Sequence, residues 1–414
     1  MKTFIISLFL ILSTLFSIQS LQTGNKKNVL TGADVLLQSK LETIKGKTLG
    51  IITNQTAVLR NGIHLVDALF KIKGIKIKML FSPEHGIRGN APAGKKLLNS
   101  VDLKTGIPIF SLYGKNRMPT RKSLKGINLL IFDIQDVGAR YYTYISTLYY
   151  ALVAAAKNNI PIIVLDRPNP INGISIEGPK LNEKLKSFVG IAPIPIRHGM
   201  TIGELALMFN NKFLPGKIKA KLKIIKMKNW KRKEYFNETG LKWISPSPNM
   251  TNLETAIVYP GMCLIEGTNV SEGRGTTLPF LTIGAPFINS EQLIKELIKS
   301  GLKGFKLEPI DFIPQNIPHK AFNPKYKGVR CHGVHIKITS KKLFNSVRFG
   351  VWMLYSLHKL YPGKFKFKNW INKLFGNYYL KEMILNGAFP DEIIKKWKKD
   401  LQEFKVERKP FLLY

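Results

Sequence analysis

The chain has 414 residues, of which 44% are hydrophobic, and its 64 Lys+Arg against 26 Asp+Glu give a formal charge of +38. That length and apolar content provide for one large or two ordinary domains with a proper core, and they exclude a disordered chain. The excess charge is lysine scattered along every segment, as in Lys71-Ile72-Lys73 and Lys395-Lys396-Trp397-Lys398-Lys399, which reads as solvated faces under a compositional bias. No nucleic-acid motif accompanies it, so no nucleic-acid partner is expected.

In chain order, Lys2 precedes an apolar run from Phe4 to Ile18, and Ser20 offers a small residue for cleavage. Residues 1–20 read as a secretory signal peptide, which predicts an exported protein, periplasmic or extracellular. The run is short for a bilayer span, and no later segment is long and apolar enough for one. A strand at Leu49-Gly50-Ile51-Ile52 follows, ending in Thr53-Asn54-Gln55, and then a helix at His64–Phe70. The next strand, Ile75 to Leu80, runs into Phe81-Ser82-Pro83-Glu84-His85-Gly86, where a proline forbids its continuation. Leu129-Leu130-Ile131-Phe132 ends in Asp133-Ile134-Gln135-Asp136, and a helix is predicted over Thr143–Asn158. Ile162-Ile163-Val164-Leu165 ends in Asp166-Arg167-Pro168-Asn169-Pro170, and Thr201 with Glu204 three residues on forms a capping box for a further helix.

Continuous apolar strands alternating with helices predict an α/β fold with a doubly wound, mostly parallel sheet over 21–245. Its ligand crevice lies at the carboxyl ends of the strands, where the polar clusters fall. The character changes near Trp243-Ile244-Ser245-Pro246-Ser247-Pro248. Residues 246–414 read as a smaller α/β subdomain: a Gly- and Pro-punctuated stretch from Tyr259 through Phe280, a helix at Ser290–Ser300, strands at Phe305–Ile310 and Val334–Thr339, then mostly helix. No G-x-G-x-x-G follows the first strand and no Walker-type loop exists, so no nucleotide cofactor is expected. Cys263 and Cys331 are the two cysteines, and nothing in their spacing demands a disulfide.

Candidate chemistry concentrates at the strand ends. Glu84, beside His85, is aimed into the crevice by its strand, and Glu177 in Ile176-Glu177-Gly178-Pro179 is a second carboxylate in a similar setting. Two carboxylates across a cleft divide the labour of an acid and a base or nucleophile, as glycoside hydrolysis requires. Asp133 and Asp136 with Arg140 and Tyr142 supply the hydrogen bonds and flat ring that a sugar site wants, or else an ion pair that pins a helix start. Asp166 and Asn169 form either a ligand cluster or a salt-bridged turn. The segment from Cys263 to Gly275, with Glu266, Asn269 and Arg274, is too rich in acid, amide and glycine to be mere packing. Asn54 and Arg88 complete the candidate binding set. His332 and His335 sit three apart on a strand and face opposite sides, and no zinc set or G-x-S-x-G elbow is present.

These motifs are together recognisable. Thr53-Asn54-Gln55-Thr56, Ser82-Pro83-Glu84-His85-Gly86-Ile87-Arg88-Gly89 and Asp133-Ile134-Gln135-Asp136-Val137-Gly138-Ala139-Arg140-Tyr141-Tyr142-Thr143-Tyr144 resemble the bacterial exo-β-N-acetylmuramidases. Asp166-Arg167-Pro168-Asn169-Pro170, Glu177-Gly178-Pro179, Ser245-Pro246-Ser247-Pro248-Asn249-Met250, Glu266-Gly267-Thr268-Asn269 and Lys409-Pro410-Phe411-Leu412-Leu413-Tyr414 extend the match. The resemblance implies a Rossmann-like domain with a smaller subdomain closing the cleft, and export. It implies removal of N-acetylmuramic acid from the non-reducing end of peptidoglycan fragments, without a nucleotide. The partners would be muropeptides or disaccharides. A catalytically silent wall-sugar-binding protein on the same scaffold is the alternative.

Overall fold

The structure is a computed structural model, and it describes residues 29–89, 100–114 and 116–414; the expected signal peptide lies outside the described residues. A seven-stranded sheet is built from β1 (Thr48–Thr53), β2 (Lys76–Ser82), β3 (Ser100–Val101), β4 (Pro108–Ser111), β5 (Leu129–Asp133), β6 (Ile162–Leu165) and β7 (Leu222–Ile225). Its order is β3-β4-β2-β1-β5-β6-β7, with every pairing parallel except that of the short edge strand β3.

Alternate strand residues build the two faces. Ile51, Leu80, Ile131 and Ile163 join the apolar sides of α1 (Gly32–Ser39) and α2 (Leu65–Phe70) in one core. Their neighbours Ile52, Phe81, Phe132 and Val164 face the other way, onto α4 (Tyr144–Lys157) and α5 (Ile202–Lys212), which follow the short helix α3 (Arg121–Leu124). Helices on both faces make the central strands β5 and β6 apolar throughout, which is why they read as unbroken runs, whereas β2 and β7 keep the exposed lysines Lys76, Lys78 and Lys223. Fully burying each such aliphatic side chain contributes roughly 1.5–3 kcal/mol. α5 starts where Thr201 and Glu204 form the expected capping box.

The second core is continuous with the C-terminal part. There α6 (Leu253–Met262), α7 (Ser290–Ile298) and α8 (Ser346–Leu360) pack with an antiparallel sheet of order β8-β10-β9, made of β8 (Thr282–Ala285), β9 (Phe305–Phe312) and β10 (Cys331–Ile338). α6 runs into the start of the Gly- and Pro-punctuated stretch that begins at Tyr259. Pro260 falls in its last turn, after which the chain tightens into a 3-10 turn at Cys263–Gly267. Gly261 and Gly350 let α6 and α8 cross with backbones in contact, because a methyl group at either would run into the other helix. α9 (Trp370–Phe375) then packs on the 3-10 turn. Both cysteines are buried and free. No helix among the described residues is long and apolar enough to cross a membrane.

Candidate active site

A cavity of about 490 Å³ opens where the carboxyl ends of β2, β4 and β5 meet the C-terminal part. Glu84 and His85 come from the turn after β2, Tyr113 from the end of β4, and Tyr141 to Tyr144 from the entry to α4. Ser247, Asn249, Tyr259, Cys263, Glu266, Arg274, Phe280 and Trp370 close it from the other side.

Pro83 ends β2, and the chain then takes left-handed backbone at both His85 (φ 75°) and Gly86 (φ 83°). For a non-glycine residue that conformation costs on the order of 1 kcal/mol or more, a cost the surrounding fold must offset. Thr143 donates its hydroxyl to Glu84 Oε2 at 3.3 Å. Burial, and then the charge of Glu84, pushes the hydroxyls of Tyr113 and Tyr144 well above the ordinary tyrosine range. Both rings therefore stay protonated: Tyr113 hydrogen-bonds the Glu84 carboxylate, while Tyr144 donates its hydroxyl to the Pro246 carbonyl at 2.5 Å. The wall behind is aromatic. Tyr142 meets Tyr144 edge-on at 5.0 Å and Tyr259 at 5.8 Å, and Tyr259 meets Phe280 at 4.9 Å.

Opposing charges hold the other wall. Arg274 donates to Glu266 Oε1 at 2.8 Å, lies 3.4 Å from Glu272 and places its guanidinium 5.0 Å from the centre of the Phe280 ring. Lys325 crosses from the loop before β10 and donates to Glu272 at 2.9 Å and to the Ile265 and Val270 carbonyls. Although burial opposes it, Lys325 and then Arg274 hold the Glu272 carboxyl below its ordinary range. Two anions and two cations thus balance, with Glu266 and Arg274 on the cavity surface.

Of the residues singled out from sequence, Glu84, His85, Tyr142, Glu266 and Arg274 line this cavity. The others lie behind it or away from it, each with an evident structural task. Glu177 lies away from the cavity lining: it is 5% exposed, pairs with Arg197 and accepts the Val347 amide of α8 at 2.9 Å. Both its oxygens are engaged, and it caps a helix rather than facing a sugar. Arg140 is fully buried and donates to the carbonyls of Pro179, Ile194, Leu374 and Phe375, stapling the two parts of the chain together. Asp133 pairs with Arg167, and Arg88 with Asp67 and Asp102. Asp136 accepts the Gly138 amide and lies 3.3 Å from His198. Asp166 accepts from Arg167, Thr201, Gly203 and Tyr414. Asn54 accepts from Thr56, Asn169 bridges Met200 and Ile171, and Asn269 bridges Lys364 and Lys366. Polar side chains at strand ends serve backbone groups as often as ligands, and spacing alone does not separate the two.

Sequence reasoning passed over Tyr113, Arg117, Phe188 and Trp370, which also line the cavity. Tyr113 had a signal: recognising Pro108–Ser111 as a strand extends the strand-end argument to it. Trp370 comes from a helix far along the chain, and no local pattern marks it.

Two family models match the chain, the N-terminal part of the exo-β-N-acetylmuramidase NamZ at residues 49–254 and its C-terminal part at 257–414. The peptidoglycan β-N-acetylmuramidase NamZ of Bacillus subtilis (strain 168) is 47% identical over 395 residues, which is 95% of this chain and 93% of that protein. A solved structure of a DUF1343 family protein from Bacteroides fragilis is similar with a TM-score of 0.86 and 33% identity, covering 94% of this chain and 99% of that one. A second from the same organism has a TM-score of 0.76 and 36% identity, with the same coverage of 94% and 99%. With strand ends, cavity and both halves of the chain accounted for, the chain belongs to the NamZ family of exo-β-N-acetylmuramidases.

Proposed function

We propose that the chain is an exo-acting glycoside hydrolase that releases N-acetylmuramic acid from the non-reducing end of peptidoglycan fragments. The observation that carries the reading is Glu84, a carboxylate set at a strand end among hydroxyl donors in a cavity of about 490 Å³ with an aromatic wall. Such a cavity is of a size to enclose a single sugar residue and leave the remainder of a chain outside. In the reaction Glu84 gives its proton to the glycosidic oxygen as the C1–O bond breaks. Water then supplies hydroxide to C1 and returns a proton to Glu84. Glu266 is the second carboxylate on the wall and orients the group that meets C1, whether water or the sugar's 2-acetamido oxygen. Arg274, beside it, receives the lactyl carboxylate that distinguishes muramic acid from glucosamine. The substrate polymer lies outside the cytoplasm, so the reading includes export directed by residues 1–20.

The test is release of chromophore from a muramic acid glycoside. Glu84→Gln keeps the side chain's shape but removes its proton, and turnover should fall by roughly 10²-fold or more, with the unfolding midpoint unchanged. Near-normal turnover in that variant refutes the assignment of Glu84, and no release by the unaltered protein refutes the reaction.

A further inference from the structure

The two exposed ends of the cavity lining share one chemistry. Arg117 is exposed and sets its guanidinium 4.7 Å from the centre of the Phe188 ring, which in turn stacks on Tyr150 at 6.3 Å with planes 19° apart. Trp370 is 39% exposed, and the exposed Lys373 holds its ammonium 5.7 Å from the Trp370 ring centre. Arg117, Phe188 and Trp370 all line the cavity while reaching solvent, so they stand at its mouth. Among the described residues neither Arg117 nor Lys373 has a carboxylate within ion-pairing distance. Arg274, deeper in, has two.

A guanidinium resting its face on a ring keeps its in-plane N–H groups free for an anion. Two cations braced on aromatic platforms are thus ready for carboxylate, at the height where whatever is attached to an enclosed sugar must emerge. We propose that the cavity mouth is an outer subsite for a carboxylate-bearing peptide attached to the sugar, with Arg117 and Lys373 as its cations and Phe188 and Trp370 as its apolar platforms. This rests on the saccharide reading above and adds a ligand class that the inner cavity does not require. The carboxylate has two sources, the lactyl group in the unsubstituted sugar and the peptide once the lactyl carboxyl has become the amide that joins it, and the ligands below separate them.

Binding is measured by calorimetry on the full-length chain carrying Glu84→Gln, so that nothing turns over. The ligands are N-acetylmuramic acid, the same sugar with its lactyl carboxyl joined to alaninamide and therefore without any carboxylate, and the sugar with its lactyl carboxyl joined to alanyl-glutamic acid. The dipeptide ligand should bind more tightly than the alaninamide ligand, by a margin that shrinks with added salt. Adding Arg117→Gln and Lys373→Gln should cut that margin about tenfold, equivalent to about 1.4 kcal/mol. Both sites are exposed, so the unfolding midpoint should stay in place. The proposal is overturned if the starting protein shows no preference for the dipeptide ligand or if the two substitutions leave the margin intact. Equal weakening of the dipeptide ligand and of N-acetylmuramic acid itself also overturns it, because the cations then do not distinguish the peptide from the lactyl carboxylate. Failure of the unaltered enzyme to hydrolyse muramic acid glycosides would reject the proposed reaction while leaving this binding result to stand or fall by itself.

Discussion

Glu177→Ala separates a structural carboxylate from a catalytic one. Glu177 is 5% exposed and its partner Arg197 3%, and the carboxylate also accepts the Val347 amide at the start of α8 at 2.9 Å. Truncation leaves a buried guanidinium without its counter-charge and the Val347 amide without its acceptor, although Asn345 still caps the helix. Breaking a buried pair in this one-sided way costs about 3–5 kcal/mol, a large part of the stability of an ordinary domain. Urea unfolding followed by tryptophan fluorescence should show that loss with little dependence on salt, because the pair is shielded from screening. Removing both charges, as Glu177→Met with Arg197→Met, should recover much of it. At a temperature where the single variant is folded, its turnover on a muramic acid glycoside should stay within about tenfold of the parent. Azide should restore nothing, since a group outside the cavity forms no covalent intermediate to be replaced. A variant of unchanged stability, slowed by roughly 10³-fold or more and rescued by azide with formation of a glycosyl azide, would refute this reasoning and make Glu177 the nucleophile.

Arg274→Ala should lower kcat/KM on muramic acid glycosides by about 10- to 100-fold, the scale of a charged hydrogen bond, and should affect glucosamine glycosides far less. Equal losses on both would make the arginine a support for Glu266 and nothing more. The C-terminal tyrosine offers a pH test. Burial lifts the Asp166 carboxyl from its ordinary 3.8 to about 7, against the donors that surround it. A carboxyl with a raised folded pKa holds more protons folded than unfolded between about pH 4 and 7, so stability is lost as pH rises through that window. Tyr414→Phe removes a donor to the ionised form. Its stability deficit in urea should reach about 1–2 kcal/mol at pH 8 and be smaller at pH 5; an equal deficit at both would show that the hydroxyl does not see the charge on Asp166.

The parallel sheet, and the edge of it where the cavity opens, are legible along the chain. Runs such as Leu129–Phe132 and Ile162–Leu165 are apolar on both faces, which only a sheet covered on both sides requires. Pro83 then stops β2 at the point where Glu84 turns into the crevice. The capping box at Thr201 and Glu204 was equally legible, because its partners are three residues apart. Which strand-end polar groups reach the cavity depends instead on packing between distant segments. Arg140 and Asp133 look like site residues in their motif, yet Arg140 binds carbonyls as remote in sequence as Leu374 and Phe375, and Asp133 is bound by Arg167. Glu177 is consumed by Arg197 and by a helix that begins at Ser346. Trp370, without any local mark, arrives at the cavity mouth because α9 packs on the 3-10 turn after α6. Backbone preference and apolar periodicity are local and can be read along the chain. The pairing of one buried charge with another is set by whichever distant segment the core brings beside it, and no spacing within a motif encodes that.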